Sequence, residues 1–407
     1  MPTDDTDTPN VTGFDPVSPA VLEDPAGAYA RLRDRCPVHR SDSFGTTVWT
    51  VSRTEDVLGI LTDHRTWSNR FGPGVGYSNP AVKGDMQHDD PPEHTDRRRF
   101  AREWFRPAAV AAHEPTLRRL AHDLVDDVAP LGRADLHESY AFALPVLAFC
   151  GVMGLPVADR FRLKGWADAL VLGMTYPDRA VQARRELIAY ALEAVRDRRS
   201  AAREGGPVPG GLLSHLALGA YGDDVMPEAE VANASLQLLV AGHETTTSLI
   251  TNALWRLLDP RHRWERLVAE PTLAANVVEE SLRFDPPVLS LCRTNNVPVE
   301  LHGEALPTDA KVMVLYASPN RDAALFPAPD EFRLDRPLHE SRRHFSFGKG
   351  IHHCLGADLA RLTARVALEV LVDRLPSLRL DGRPERIAAP FLWGRRTLPA
   401  AWDLPAA

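Results

Sequence analysis

The stretch of this chain best equipped for chemistry is Phe347-Gly-Lys-Gly-Ile-His-His-Cys-Leu-Gly356. Gly348 and Gly350 let the backbone take positive φ and pass close to a flat or bulky group, and Gly356 relieves packing where a helical pattern begins at Ala357. Cys354 stands just before that helix, where free N–H groups and the positive end of the dipole favour a thiolate, a strong soft ligand for iron. A lone cysteine is otherwise read as a buried structural residue in a glycine turn. Zinc fits poorly, because only the adjacent His352 and His353 lie nearby and no second cysteine stands at metal spacing.

A second unusual stretch is Ala241-Gly-His-Glu-Thr-Thr-Thr247. Gly242 and three consecutive β-branched threonines are poor helix-interior residues, yet the apolar spacing on both sides is helical. Conflict between local propensity and pattern often marks function. A threonine hydroxyl can bond to the carbonyl four residues earlier, and Gly242 lets another group approach the backbone. A helix bent only for packing, with a solvated Glu244, is the alternative. Two weaker signals complete the set. Glu280 and Arg283 are three apart and share a helix face, and so do His94 and Arg98, four apart, whose two donors suit a carboxylate. Taken alone, each of these four, and Arg293, reads as a solvated charge.

The elements that must position these residues are mostly helical. The clearest helix opens at Pro227-Glu228 and stops at Asp259-Pro260; its thirty-odd residues span about 45 Å, so it must cross the core. Further helices are predicted over Pro107 to Val128, Asp178 to Arg199, Pro271 to Phe284 and Gly356 to Leu375, and Asp90-Pro-Pro opens another that carries His94 and Arg98. Strands fall in two clusters, Val38 to Ser52 and Val297 to Ser318, the second with a His302-Gly303 turn. The expected architecture is mainly α with a small β-rich lobe. The loop Arg203 to Gly211 brings no shift of composition, so residues 1–407 read as one domain, with 1–15 a flexible N-terminus.

Composition narrows the function classes. The chain has 407 residues, 47 Lys+Arg against 55 Asp+Glu, and a formal charge of −8, which argues against nucleic-acid binding. With 44% hydrophobic and 25% charged residues it buries a core and is not mainly disordered. Four scattered cysteines form no Cys-x-x-Cys pair, and Met1 to Asn10 is polar and acidic with no apolar run able to cross a bilayer, so a cytoplasmic protein without membrane contact is expected.

The decapeptide matches every fixed position of Phe-Gly-x-Gly-x-His-x-Cys-x-Gly, and so resembles the haem-binding loop of the cytochrome P-450 superfamily. The threonine stretch resembles that family's oxygen-activating segment, Ala/Gly-Gly-x-Asp/Glu-Thr-Thr, and Glu280-x-x-Arg283 lies at the family's distance before the cysteine. The resemblance implies haem b (iron protoporphyrin IX) held between the long central helix and the cysteine loop. It implies Cys354 as the axial iron ligand and His94, Arg98, Arg293 and His352 at the propionates. Phe347 and Gly348 would pack around the sulfur side, and Ala241, Gly242 and Gly356 against the haem. Glu244 and Thr245 become the acid and alcohol that relay protons, and Glu280 with Arg283 a structural network, with Asn320, Arg321, Asp322 and Arg336 in the segment that follows.

The activity implied is that of a bacterial-type haem-thiolate monooxygenase. It inserts one atom of O2 into a small hydrophobic substrate, such as a terpenoid, steroid, polyketide or aromatic natural product, with electrons from a ferredoxin or flavodoxin and its reductase. Hydroxylation is the first reading; epoxidation, oxidative coupling, dehydrogenation, or a non-catalytic haem-thiolate scaffold are the others. Substrate residues are expected at Gln237, Val240, Val288, Leu289, Leu291 and Leu392, and in the segments Arg70 to Met86 and Leu163 to Pro177. An acidic ferredoxin would dock on Arg97, Arg99, Arg102, Arg342, Arg343 and Lys349. Two departures from the family pattern, Leu306 for Ile and Asp309 for Gly, fall in one turn.

Overall fold

The structure, a computed structural model, describes residues 13–76, 84–387 and 389–404. Residues 1–12 of the expected flexible terminus and 77–83 of the expected substrate loop lie outside the described residues. Phe14, inside the terminus expected to be flexible, instead packs its ring against His39 and Tyr29, with centroids 5.4 and 6.3 Å apart.

The architecture is mainly helical, with small sheets. Glu228–Leu258 forms an unbroken helix of 31 residues, started by Pro227 and carrying Glu228 and Glu230 in its first turn, where acids complement the dipole. Its N-terminal half (Val231, Ala234, Leu236, Leu239) belongs to one apolar cluster with Leu163, Trp166 and Leu213. Its C-terminal half (Leu249, Ile250, Ala253, Leu254, Leu257) belongs to another with Trp264, Leu368 and Leu371. Residues 241–248 belong to neither cluster, so the threonine stretch sits at the seam between two cores.

The helix expected from Pro107 to Val128 is two helices, Pro107–Ala111 and Glu114–Val128. Pro115 explains the break: it has no N–H for the carbonyl of Ala111, and its ring would clash there. The helix expected at Asp178 starts later and runs longer, Val181–Glu204, and ends at Gly205 with φ +70°. The helix after the cysteine loop is Ala357–Arg374.

The larger sheet has five strands in the order Val38–Ser41, Val48–Val51, Lys311–Val314, Leu291–Asn295 and Trp67–Ser68. Val48–Val51 runs parallel to Lys311–Val314, in register Val48 to Lys311 and Val51 to Val314, while the other pairings are antiparallel. This sheet carries Arg293 on Leu291–Asn295. Val299–Leu301 and Glu304–Leu306 form the hairpin expected around His302-Gly303. Asp309, at the position where the family favours glycine, takes φ +61°, the left-handed region that a side chain disfavours and glycine tolerates.

Candidate active site

In the central helix the hydroxyls of Thr245, Thr246 and Thr247 donate to the carbonyls of Ala241 (2.6 Å), Gly242 (3.0 Å) and His243 (3.2 Å). These bonds absorb the polarity of three side chains in the helix interior. Ala241 and Gly242 are exposed although the helix is buried on both sides of them, and a Cβ on Gly242 would meet only Phe149 within 4 Å, at 3.8 Å. Gln237 and Val240, one turn earlier, are half-buried on the same stretch.

Glu244 is buried, and its carboxylate lies close to Asp168 and His243. Asp168 pairs at 2.6 Å with Lys164, one turn back on the helix Arg160–Leu172. Burial, reinforced by Asp168 and opposed by Lys164, pushes the Glu244 carboxyl up from 4.5 to about 7. A carboxyl poised there can hold or release a proton at neutral pH. Lys164 and Asp168 were not expected from the sequence; their signal was the i, i+4 pairing of opposite charges.

Between pH 4.5 and 7 the folded protein retains a proton on Glu244 that the unfolded chain releases. Stability contributed at this position is therefore lost as pH rises through that window. Glu244→Gln should abolish this loss, so that its advantage over the wild type in unfolding free energy from denaturant titration grows from pH 4.5 to 7, by an amount on the order of a few kcal/mol. Parallel pH profiles for the two proteins would refute the burial of a titrating carboxyl there.

The cysteine loop is closed by backbone bonds from Gly348 to the Phe345 carbonyl (2.7 Å) and from Cys354 to the Phe347 carbonyl (2.8 Å). Gly348 and Gly350 have φ +68° and +70°. Gly350 is also demanded by the protein itself, since a Cβ there would stand 2.1 Å from the Leu61 carbonyl oxygen. Gly356 is different: no atom lies within 4 Å of a Cβ placed on it, so the expected relief of packing is not against described protein.

The loop is anchored from below, and three of the anchors, Glu279, His344 and Arg361, were missed by the sequence reading. Glu279 accepts from Arg361 (2.6 Å) and His344 (3.2 Å). Burial alone would raise its carboxyl, but those two bonds outweigh it and hold it at about 2. Asn320 receives the Phe345 N–H (2.7 Å) and donates to Ser346 (2.9 Å). Phe347 is half-buried under the Arg361 guanidinium, 4.6 Å from its ring centre.

Of the four cysteines, Cys354 alone is exposed. Its surroundings nonetheless push the thiol up, burial outweighing the Gly356 N–H and the Arg98 and Arg361 charges. Coordination to a cation is what deprotonates such a thiol outright.

Beside the loop, the rings of His94 and His352 meet with centroids 4.2 Å apart and planes tilted by 50°, and Arg98, from the helix Glu93–Arg102, donates to the His353 carbonyl. Burial and the charges of Arg293, His94 and Arg98 hold His352 well below 6.5, and burial with Arg98 lowers His94 to about 4. Both ring nitrogens of His94 are buried without a hydrogen-bond partner among the described residues. Arg293 donates to the Cys292 carbonyl (2.9 Å) and faces the Tyr316 hydroxyl at 3.2 Å. Donors crowd here and among the described residues none of them bonds to a carboxylate, which fits a cofactor that brings two carboxylates.

Glu280 and Arg283 are fully buried and joined by two bonds of 2.7 and 2.8 Å, with Arg336 on the same carboxylate at 3.0 Å. The remaining donors of Arg283 reach the carbonyls of Asn320, Pro329 and Glu331. Of the apolar candidates, Val288 and Leu291 are half-buried, and Leu392 bridges to Val288. Leu289 departs from expectation: it packs with Tyr29, Leu32 and Trp393 and lines a different cavity. Leu163 is likewise core, 1% exposed. Arg97 is no docking cation, since it is buried between Asp89 and Glu230, 2.9 Å from each.

A long helix with an exposed Ala-Gly step, an accessible cysteine in a glycine loop and unanswered donors beside it define a haem-thiolate oxidoreductase. The cytochrome P450 family profile matches residues 168–387. The chain is 35% identical to the cytochrome P450 monooxygenase PikC of Streptomyces venezuelae, over 93% of this chain and 91% of that one. It is 34% identical to the mycinamicin IV hydroxylase/epoxidase of Micromonospora griseorubida, over 93% and 95%. The solved structure of PksS, the cytochrome P450 of the bacillaene polyketide synthase of Bacillus subtilis 168, superposes with a TM-score of 0.86 at 28% identity, covering 96% and 99%. The chain belongs to the cytochrome P450 family: it is a monooxygenase of bacterial type that binds haem b. Among the described residues no helix is long and apolar enough to cross a membrane.

Proposed function

We propose that the 407 residues act as one catalytic unit that hydroxylates a hydrophobic natural product of polyketide type, with Cys354 as the iron ligand. The observation that carries this reading is the exposed Ala241-Gly242 step with Glu244 and Thr245 directly after it, in a helix otherwise buried. Similarity to a mycinamicin IV hydroxylase/epoxidase and to the cytochrome P450 of a polyketide synthase supports the substrate class. Epoxidation is the second reading, favoured by the dual activity named for the mycinamicin relative.

Haem held by a thiolate supplies oxygen activation, the sulfur favouring O–O cleavage. The rest falls to this chain. His94, Arg98, Arg293 and His352 would hold the propionates. Gln237, Val240, Val288, Leu291 and Leu392 would hold the substrate over Ala241, and apolar lining excludes water. Glu244 draws protons from the Lys164–Asp168 pair and passes them through water to the Thr245 hydroxyl, whose bond to the Ala241 carbonyl fixes its oxygen. Thr245→Ala should therefore keep electron consumption while product per electron falls by about 10²-fold, in the range of a lost proton-transfer group, with peroxide released instead. Undiminished product per electron would sink the relay.

Electrons would come from a ferredoxin or flavodoxin with its reductase, in the cytoplasm, where four free cysteines persist. With Arg97 buried, the docking cations are Arg99, Arg102, Arg342 and Arg343, all exposed, with Lys349 half-buried beside them; Arg102 lies one turn beyond Arg98, which touches the cysteine loop. Arg102→Glu should slow reduction by an acidic ferredoxin several-fold at low salt and much less at high salt. Equal rates and equal salt dependence would remove this face.

A further inference from the structure

One segment expected to border the substrate has no regular structure of its own. Asn69-Arg-Phe-Gly-Pro-Gly-Val-Gly76 carries three glycines in its last five residues, and glycine leaves a chain free to take many paths. Its path is nevertheless fixed from two sides. Lys311 opens the central strand of the larger sheet, Lys311–Val314, and is 0% exposed. Its ammonium donates to the carbonyls of Phe71 and Gly72, each at 3.0 Å. Nearer the surface, Arg70 donates to the Asn296 side chain at 2.6 Å and pairs with Asp309.

A buried ammonium is costly, and the rest of its strand, Val312, Met313 and Val314, is apolar. Burial favours an apolar residue at 311 as well, and a conflict of that kind often marks function. Burial lowers the Lys311 ammonium to about 8, so it still carries its proton at pH 7. What the two cations secure is a junction. The Pro73 carbonyl accepts from the Cys292 N–H at 2.7 Å, on the strand that bears Arg293. Gly74 lies against Met174, just beyond the helix Arg160–Leu172: a Cβ on it would stand 3.0 Å from the Met174 carbonyl oxygen. Val75 shares one apolar cluster with Leu289 and Met174. Three stretches expected to shape the substrate site therefore meet at Pro73–Val75.

We propose that Lys311 and Arg70 are positioning residues for substrate entry: they clamp the segment from Phe71 to Val75 against Met174 and the Arg293 strand, and so set the size of molecule that passes to the haem. The inference rests on the reading that these stretches border the substrate. Bonds from a cation are stronger than those between neutral groups, so two of them can hold a glycine-rich segment that supplies no ladder of its own. Loss of either cation frees the segment to move away from Met174 and widens the way for a bulky molecule, while a small one passes as before.

The test uses the haem-loaded protein at pH 7, with imidazole and 4-phenylimidazole as small and bulky probes followed by haem absorption in stopped flow. Lys311→Met should raise both the association and the dissociation rate of 4-phenylimidazole at least threefold and leave those of imidazole within twofold. Arg70→Ala, whose side chain is 37% exposed, should do the same and serves if Lys311→Met does not fold. Amide hydrogen exchange over residues 69–76 should be at least tenfold faster in each variant. Wild-type exchange there in a folded variant would refute the clamp itself. Faster exchange with unchanged 4-phenylimidazole rates would show that the segment does not border the path, which removes the reading beneath the proposal and the proposal with it. Equal acceleration of both probes would mean a general loosening and would overturn the role in size selection.

Discussion

Cys354→Ser should yield a protein that still takes up haem but whose reduced, carbon-monoxide-bound form has lost the strongly red-shifted absorption band, with product formation at background. The first half of this expectation rests on the donors beside the loop. His94, His352, Arg98 and Arg293 do not involve the sulfur, so they would continue to hold the propionates. The second half rests on chemistry: a hydroxyl oxygen is a poorer donor than a thiolate and does not push electron density onto iron in the same way. No other cysteine can take over. Cys150 and Cys292 are buried, and burial pushes both thiols up to about 11. Cys36 is only partly exposed, bonds to the Val38 carbonyl, and is also pushed up. Persistence of the red-shifted band in Cys354→Ser would remove Cys354 as the ligand.

Glu280→Ala should prevent accumulation of folded protein. The carboxylate lies between the guanidiniums of Arg283 and Arg336, all three fully buried, and also receives the Arg333 N–H at 2.9 Å. Removing it leaves two cations facing each other in the interior. Breaking a buried pair by deleting one partner costs about 3–5 kcal/mol, and total stabilities are only about 5–15 kcal/mol. The damage would not stay local, because Arg283 and Arg336 also tie together the carbonyls of Asn320, Pro327, Ala328, Pro329 and Glu331. That segment leads into the cysteine loop through Asn320 and its bonds to Phe345 and Ser346. Denaturant unfolding together with haem retention measures the effect. An unfolding free energy within about 1 kcal/mol of the wild type would show that water or a rearranged partner answers the two arginines.

Features held within a few residues of sequence were legible. The glycine loop and the threonine back-bonds are local, so type and spacing carried them, whereas spacing put Glu280 and Arg283 on one face and only the family resemblance made them a structural network. The long helix was legible because Pro227 and Pro260 bracket one uninterrupted apolar pattern. The break before Glu114 was legible too, had Pro115 been weighed above the apolar pattern.

What spacing could not show is which distant group answers a given charge. Arg97 looks like its neighbours Arg99 and Arg102 on the page of sequence, yet the fold brings Glu230 to it from the central helix. Glu244 carries no sign of Asp168 and Lys164, three helices earlier. The direction of Leu289 depends on its backbone bond to Phe391, and the meeting of Arg386 with Arg395 depends on a bridge. Such pairings are decided by tertiary packing, which overrides any local pattern.

The parallel pairing of Val48–Val51 with Lys311–Val314 sets an order of events during synthesis. The Val48-Trp-Thr-Val51 strand leaves the ribosome about 260 residues before the strand that completes it. At ~5–20 residues per second that interval is roughly 13–50 s. Throughout it the nascent hairpin carries an apolar strand with one open edge, the kind of edge that recruits other chains. The strand bearing Arg293 sits on the far side of Lys311–Val314, so this part of the haem cradle is assembled only after three quarters of the chain has been made.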